Sequence, residues 1–225
     1  MDRNDTDRDR LVALHDGLLT RFGPQDWWPG EGPWDVCTGA VLTQNTRWAN
    51  AERALKRLAD AGLRTPKRVL EAPESTLQAL IRSAGFFRQK SRALQGLAEW
   101  VLAGGGFDQR GQEPMSSLRE ELLALPGVGP ETADCILLYA LDQPVFIADA
   151  YARRLLRRTG IWPDTGANQY AALKDWAEGR LSLELVFMQE FHALIVAAGK
   201  TYCQRQPRCT HCPLRSGCKH ANRDY

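Results

Sequence analysis

Long apolar runs, alternating β-branched segments and scattered cysteines are all scarce in this sequence, and each scarcity narrows what the chain does. No stretch approaches the ~20 apolar residues of a membrane-spanning helix, so no membrane role is expected. Nothing at the N-terminus resembles a signal peptide, which makes an intracellular, reducing compartment the expectation. A chain of 225 residues buries enough core to need no disulfide staples. The near absence of period-two alternation argues against a β architecture. Apolar residues recur instead at helical spacing, as in Leu11, Leu14, Leu18 and Leu19, and again in Leu118, Leu122 and Leu125. No tandem repeat or low-complexity tail is present, which argues against a solenoid or a linker-rich protein.

What is there reads as an all-α protein. Periodicity and capping signals predict helices over 7–21, 35–46, 48–60, 66–71, 75–83, 87–103, 116–124, 130–141, 150–159, 168–179 and 182–199. The longest irregular stretches are 23–33, 104–114, 161–167 and the chain's end. Four of the six cysteines, Cys203, Cys209, Cys212 and Cys218, crowd into that end with gaps of five, two and five residues. Thiolates at such spacing converge on one small volume, and soft sulfur ligands select zinc or an iron–sulfur cluster. The gaps are wider than the paired C-x₂₋₄-C knuckles of structural zinc sites and suit a [4Fe–4S] cubane better. Cys37 and Cys135 lie in apolar helical stretches and read as core thiols.

Charge is unevenly divided. Residues 1–149 hold 17 basic and 21 acidic side chains, whereas residues 150–225 hold 12 and 6. A basic excess beside the cysteines suits a polyanion partner, and equally a solvated surface. Leu125-Pro126-Gly127-Val128-Gly129 lies between two expected helices. Its glycines permit a tight turn, and amides at the start of the next helix are suited to holding a phosphate without reading sequence. Twenty residues beyond Gly129, Asp149 precedes the helix bearing Arg153, Arg154, Arg157 and Arg158; an aspartate there is also a common N-cap.

Taken together, LPGVG, Asp149 and the C-x₅-C-x₂-C-x₅-C loop resemble the endonuclease III superfamily of helix-hairpin-helix DNA glycosylases over nearly the whole chain. The resemblance implies a two-lobed all-α fold. A six-helix barrel over 33–143 would carry the hairpin; residues 1–32 and 144–225 would form a second lobe closed by a [4Fe–4S] loop, with the DNA cleft between. The usual first cysteine gap in the family is six residues and here it is five, so an altered loop around the cubane is expected. The residue matching Asp149 supports cleavage of the N-glycosidic bond by stabilising positive charge on the sugar. Bifunctional glycosylase/lyases carry a lysine two residues after the last hairpin glycine. Glu131 stands there instead, and a carboxylate forms no imine, which implies a monofunctional enzyme.

Trp27-Trp28-Pro29, followed by Gly39 to Trp48, looks like the 3-methyladenine glycosylase branch, in which aromatics at the positions of Trp28 and Trp48 sandwich the flipped base. Indole faces would stack on an extruded base and favour a cationic one, with Glu131 adding to that preference. Trp27 and Trp28 would otherwise pin the N-terminal segment to the core. Gln44 falls where the family fills the gap left by the flipped nucleotide. Phe86 aligns with a wedge for the opposite strand, or else packs with Phe87 between helices. Arg205, Arg208, Lys219 and Arg223 are candidate phosphate contacts. The expected protein is a cytoplasmic monomer, nucleoid-associated if bacterial, that binds double-stranded DNA containing a damaged base and releases alkylated purines. The alternatives are a glycosylase for oxidised pyrimidines or mismatches, and a DNA-binding or redox-sensing relative without catalysis.

Overall fold

Helical periodicity decides almost every element. The computed structural model describes residues 3–28, 30–163 and 169–222, and among them there is no strand. The helices in chain order are α1 (Arg3–Phe22), α2 (Pro33–Thr43), α3 (Trp48–Asp60), α4 (Pro66–Glu71), α5 (Glu74–Leu80), α6 (Phe87–Ala103), α7 (Phe107–Arg110), α8 (Met115–Ala124), α9 (Pro130–Ala140), α10 (Ala150–Thr159), α11 (Gln169–Glu178) and α12 (Leu185–Thr201). Single 3₁₀ turns occupy Arg82–Ala84, Cys209–His211 and Arg215–Gly217. The chain divides into two units, Trp28–Gln143 and Met1–Trp27 with Pro144–Tyr225. Pro29 and Arg223, both singled out above, lie outside the described residues.

In the unit spanning Trp28–Gln143, α2 is the central helix. From Trp34 to Leu42 every residue but Asp35 is buried, so α2 is apolar all round, the pattern of a helix enclosed by others. It packs against α3, α6 and α9, while α4 and α5 close over α6 and α8 pairs with α9. In the other unit α12 is central and packs on α1 and α10. The stripe Leu11, Leu14 and Leu18 of α1 is buried, each side chain contributing ~1.5–3 kcal/mol.

Two of the differences from expectation have a clear physical cause. The second helix ends at Thr43 instead of 46, because the carbonyls of Leu42 and Gln44 are taken by the Lys90 ammonium at 2.9 and 2.8 Å and Asn45 turns left-handed with φ 51°. Within the expected loop 104–114, α7 forms one helical turn. There Arg110 folds back 4.2 Å over the Trp100 ring, donates to the Trp100 carbonyl, and pairs with Glu113 and Glu121. A chain segment rich in glycine is ordered by one buried guanidinium.

Polar groups inside each unit set its sensitivities. Asp134 of α9 is fully buried and receives two bonds from Arg119 of α8, at 2.7 and 3.2 Å. Removing one partner of such a pair strands a buried charge, so Arg119→Ala should lower stability by about 3 kcal/mol. By contrast, Lys56→Ala breaks a pair with Asp60 whose members are 75% and 63% exposed, and should stay within about 0.5 kcal/mol. Urea midpoints compare the two. His192 of α12 is buried, and its pKa falls from 6.5 to about 3, mainly through burial and secondarily through the charge of Lys200. Below about pH 6.5 the unfolded chain therefore takes up a proton that the folded chain refuses. Stability should be full above pH 6.5 and fall as pH drops toward 3, by at most ~1.4 kcal/mol per pH unit from this group. His192→Gln should flatten that limb when urea midpoints at about pH 5 and 7 are compared.

Candidate functional site

The hairpin between α8 and α9 is built by a left-handed glycine. Gly127 has φ 82°, and a Cβ there would lie 3.1 Å from that of Ala93, so both conformation and space require glycine. The Val128 amide closes the turn on the Leu125 carbonyl at 3.1 Å, and the Val128 side chain anchors it in the core. Pro126 and Gly127 are exposed, while Leu125 and Gly129 are half-buried. Gly129 begins α9 with no side-chain cap, and the helix dipole gives this end of α9 a partial positive charge. Arg119 and Asp134 staple the two helices together behind the turn. Gln44 joins this assembly: its side-chain amide donates to the Gly127 carbonyl at 3.0 Å and the Thr132 hydroxyl at 2.7 Å. Glu131 is exposed in the first turn of α9.

Trp28 lies on Gly39. A Cβ at Gly39 would fall 2.8 Å from the Trp28 ring, so α2 needs a bare backbone at this point. The Trp28 ring meets that of Trp48 edge to face, 6.0 Å between centroids at 79°, and that of Tyr139 at 5.8 Å and 51°. The structure thus brings Trp28 and Trp48, the two aromatics expected to sandwich a base, into edge contact with each other. Tyr139 escaped the sequence reading. Its signal was its place two helical turns after Glu131, on the same side of α9. The adjacent Trp27 belongs to the other unit, where the Lys200 ammonium sits 5.1 Å over its ring. Phe86 is 63% exposed with left-handed φ 45°, whereas Phe87 is half-buried with the guanidinium groups of Arg82 and Arg88 over its ring.

Asp149 serves as N-cap of α10. One carboxylate oxygen accepts the Ala152 amide at 2.7 Å, and the other lies 3.9 Å from His192 Nε2. Both side chains are buried. With its pKa near 3, His192 is a neutral imidazole at ordinary pH and leaves the carboxylate's charge in place. Lys200 stands two helical turns after His192 on α12. Burial lowers its pKa and the charge of Asp149 partly opposes that shift. Neither His192 nor Lys200 was foreseen from the sequence, because only the packing of α12 on α10 brings them to Asp149.

The four cysteines also meet. Cys203, Cys209, Cys212 and Cys218 line one cavity together with Leu155, Tyr202 and Leu214. The Cys212 thiol is pushed above its ordinary pKa, first by burial and then by the other three cysteines. Yet among the described residues no three His, Cys, Asp or Glu side chains converge closely enough to hold a single metal ion. Four thiols lining one cavity are soft donors that could hold a metal centre. The loop is moored to α10: Arg158 donates to Cys203 Sγ at 3.5 Å and to the Gln204 and Arg205 carbonyls at 2.6 and 3.0 Å, and Arg154 to the Cys203 carbonyl at 2.6 Å. Two of the arginines in the basic excess are thus occupied in holding the loop. Arg205, Arg208 and Lys219 remain exposed.

Comparisons with known proteins agree on one lineage. Residues 38–178 match the model of the HhH-GPD superfamily of base excision DNA repair proteins. A protein of Methanocaldococcus jannaschii that carries the name DNA repair glycosylase is 38% identical over 211 residues, covering 92% of this chain and 95% of that one. A solved complex of endonuclease III with DNA superposes with a TM-score of 0.78 over 95% of this chain and 96% of that one, at 24% identity, a likeness of fold. The 3-methyladenine DNA glycosylase of H. pylori, bound to 1,N6-ethenoadenine, superposes with a TM-score of 0.70 at 28% identity, covering 89% of this chain and 98% of that one. With more than half its length inside the family model and a relative spanning nearly all of it, the chain belongs to the HhH-GPD superfamily of base excision DNA repair proteins, alongside the DNA glycosylases and endonuclease III.

Proposed function

We propose that the protein is a monofunctional DNA glycosylase that extrudes alkylated purines such as 3-methyladenine from duplex DNA and hydrolyses the N-glycosidic bond. The observation that carries this reading is the aromatic cluster of Trp28, Trp48 and Tyr139, with Glu131 on the same helix as Tyr139. A purine alkylated at a ring nitrogen is cationic while still joined to the sugar. Indole and phenol faces attract it over a neutral base, and stacking supplies roughly 1–3 kcal/mol against the lost duplex contacts.

In the reaction the glycosidic bond breaks with its electron pair leaving on the base, which departs neutral. Positive charge grows on the sugar, where a buried carboxylate is the stabilising group, and water adds at C1′ and gives up a proton. Asp149 is suited to this, because the Ala152 amide fixes one of its oxygens and the neighbouring neutral imidazole does not cancel its charge. Glu131 stands where the lyase members place the amine, so no Schiff base forms. The hairpin amides at α9 and the exposed Arg205 and Arg208 take phosphates without regard to sequence. Gln44 fills the vacated stack and Phe86 wedges the opposite strand.

Cys203, Cys209, Cys212 and Cys218 would hold a [4Fe–4S] cluster, whose bound chemistry is the cross-linking of a loop with little apolar content of its own. The purified protein should be yellow-brown with about four irons per chain, and Cys212→Ala should lose iron and stability together. One zinc with neither iron nor sulfide after anaerobic purification would refute the assignment. The test of the reaction is a panel of lesion-bearing duplexes, assayed with and without alkali. The wild type should release alkylated purines and yield strand breaks only after alkali, with no adduct on borohydride trapping. Asp149→Asn, which keeps a capping oxygen, should fold and bind DNA yet release base at least about 10²-fold more slowly. Efficient borohydride trapping would overturn the monofunctional reading, and release confined to oxidised pyrimidines would overturn the substrate.

A further inference from the structure

The ammonium of Lys90 is buried, 3% of the residue being exposed, and its three N–H donors go to three main-chain carbonyls: Leu42 at 2.9 Å, Gln44 at 2.8 Å and Ala84 at 2.8 Å. Those carbonyls belong to two separate turns. The peptide after Gln44 leads into left-handed Asn45, and the peptide after Ala84 leads into Gly85 at φ 69° and Phe86 at φ 45°. Such backbone persists only where the surroundings over-determine it. One turn carries Gln44, whose amide rests on the hairpin; the other carries Phe86, the exposed aromatic at the head of α6. Burial lowers the Lys90 pKa to about 8, and the three carbonyls hold the cation.

We infer that Lys90 is a positioning residue for base extrusion: its ammonium fixes the spacing of the Gln44 and Phe86 turns so that both side chains enter the duplex together. The inference rests on the glycosylase reading above, in which these two residues occupy the distorted duplex. A lysine serving the fold alone would affect every substrate alike. One that sets the plug and wedge matters only where a stacked, paired base must be displaced.

The test compares the full-length wild type with Lys90→Met on two duplexes carrying the same alkylated purine, one normally paired and one with the lesion opposite a one-nucleotide gap and already unstacked. On the paired duplex the single-turnover rate should fall about tenfold or more; on the gapped duplex it should stay within about twofold of wild type. In a Gln44→Ala/Phe86→Ala background, Lys90→Met should bring no further loss on the paired duplex. If Lys90→Met does not fold, Lys90→Gln, which keeps two donors, takes the same comparison. Equal loss on both duplexes, or no loss on either, overturns the inference. A 2-aminopurine beside the lesion reports unstacking without chemistry. Its fluorescence should rise with wild type and stay low with the variant at equal DNA occupancy, and equal rises overturn the positioning role even if the wild type proves to cleave a different lesion.

Discussion

A backbone group at the buried end of a helix must find a partner, and in this chain that requirement places Asp149, Lys90 and the cysteine loop. At the start of α10 the partner is the Asp149 carboxylate. At the end of α2 it is the Lys90 ammonium, which stops the helix and turns the chain toward Asn45. At the end of α10 the Arg158 carbonyl receives the His220 amide, which ties the cysteine loop to the helix. The start of α9, like those of α2, α3 and α6, has no side-chain cap.

How much of this was legible in the sequence follows from the same distinction between local and long-range partners. Helix period and turn glycine are local, so α3, α4, α6 and α10 appear at their expected bounds, and the Gly127 turn lies where its composition predicts. The capping role of Asp149 was readable for the same reason. The overrun of α2 was not avoidable, because the residue that ends it lies 48 positions away from Leu42. Nor was the single turn of α7, which depends on Arg110 reaching back to Trp100 and across to Glu121. Tyr139, His192 and Lys200 carry no motif; helix packing alone gives them neighbours.

The tryptophan pair shows the limit most clearly. Adjacent in sequence and alike in chemistry, Trp27 and Trp28 part company at the unit boundary, one to sit under an ammonium and the other to lie on a glycine. Composition likewise overstated the free charge beside the cysteines. Arg154 and Arg158 spend their donors on loop carbonyls, so the surface available to a polyanion is smaller than a count of side chains suggests.

α10 has ten residues and spans ~15 Å. At its first turn it holds a carboxylate still; from its middle and its last turn it anchors the thiol loop through the donors of Arg154 and Arg158 and the carbonyl of Arg158. One short helix thus sets the Asp149 carboxylate and the thiol loop in a single rigid frame, so neither can shift along its axis without the other.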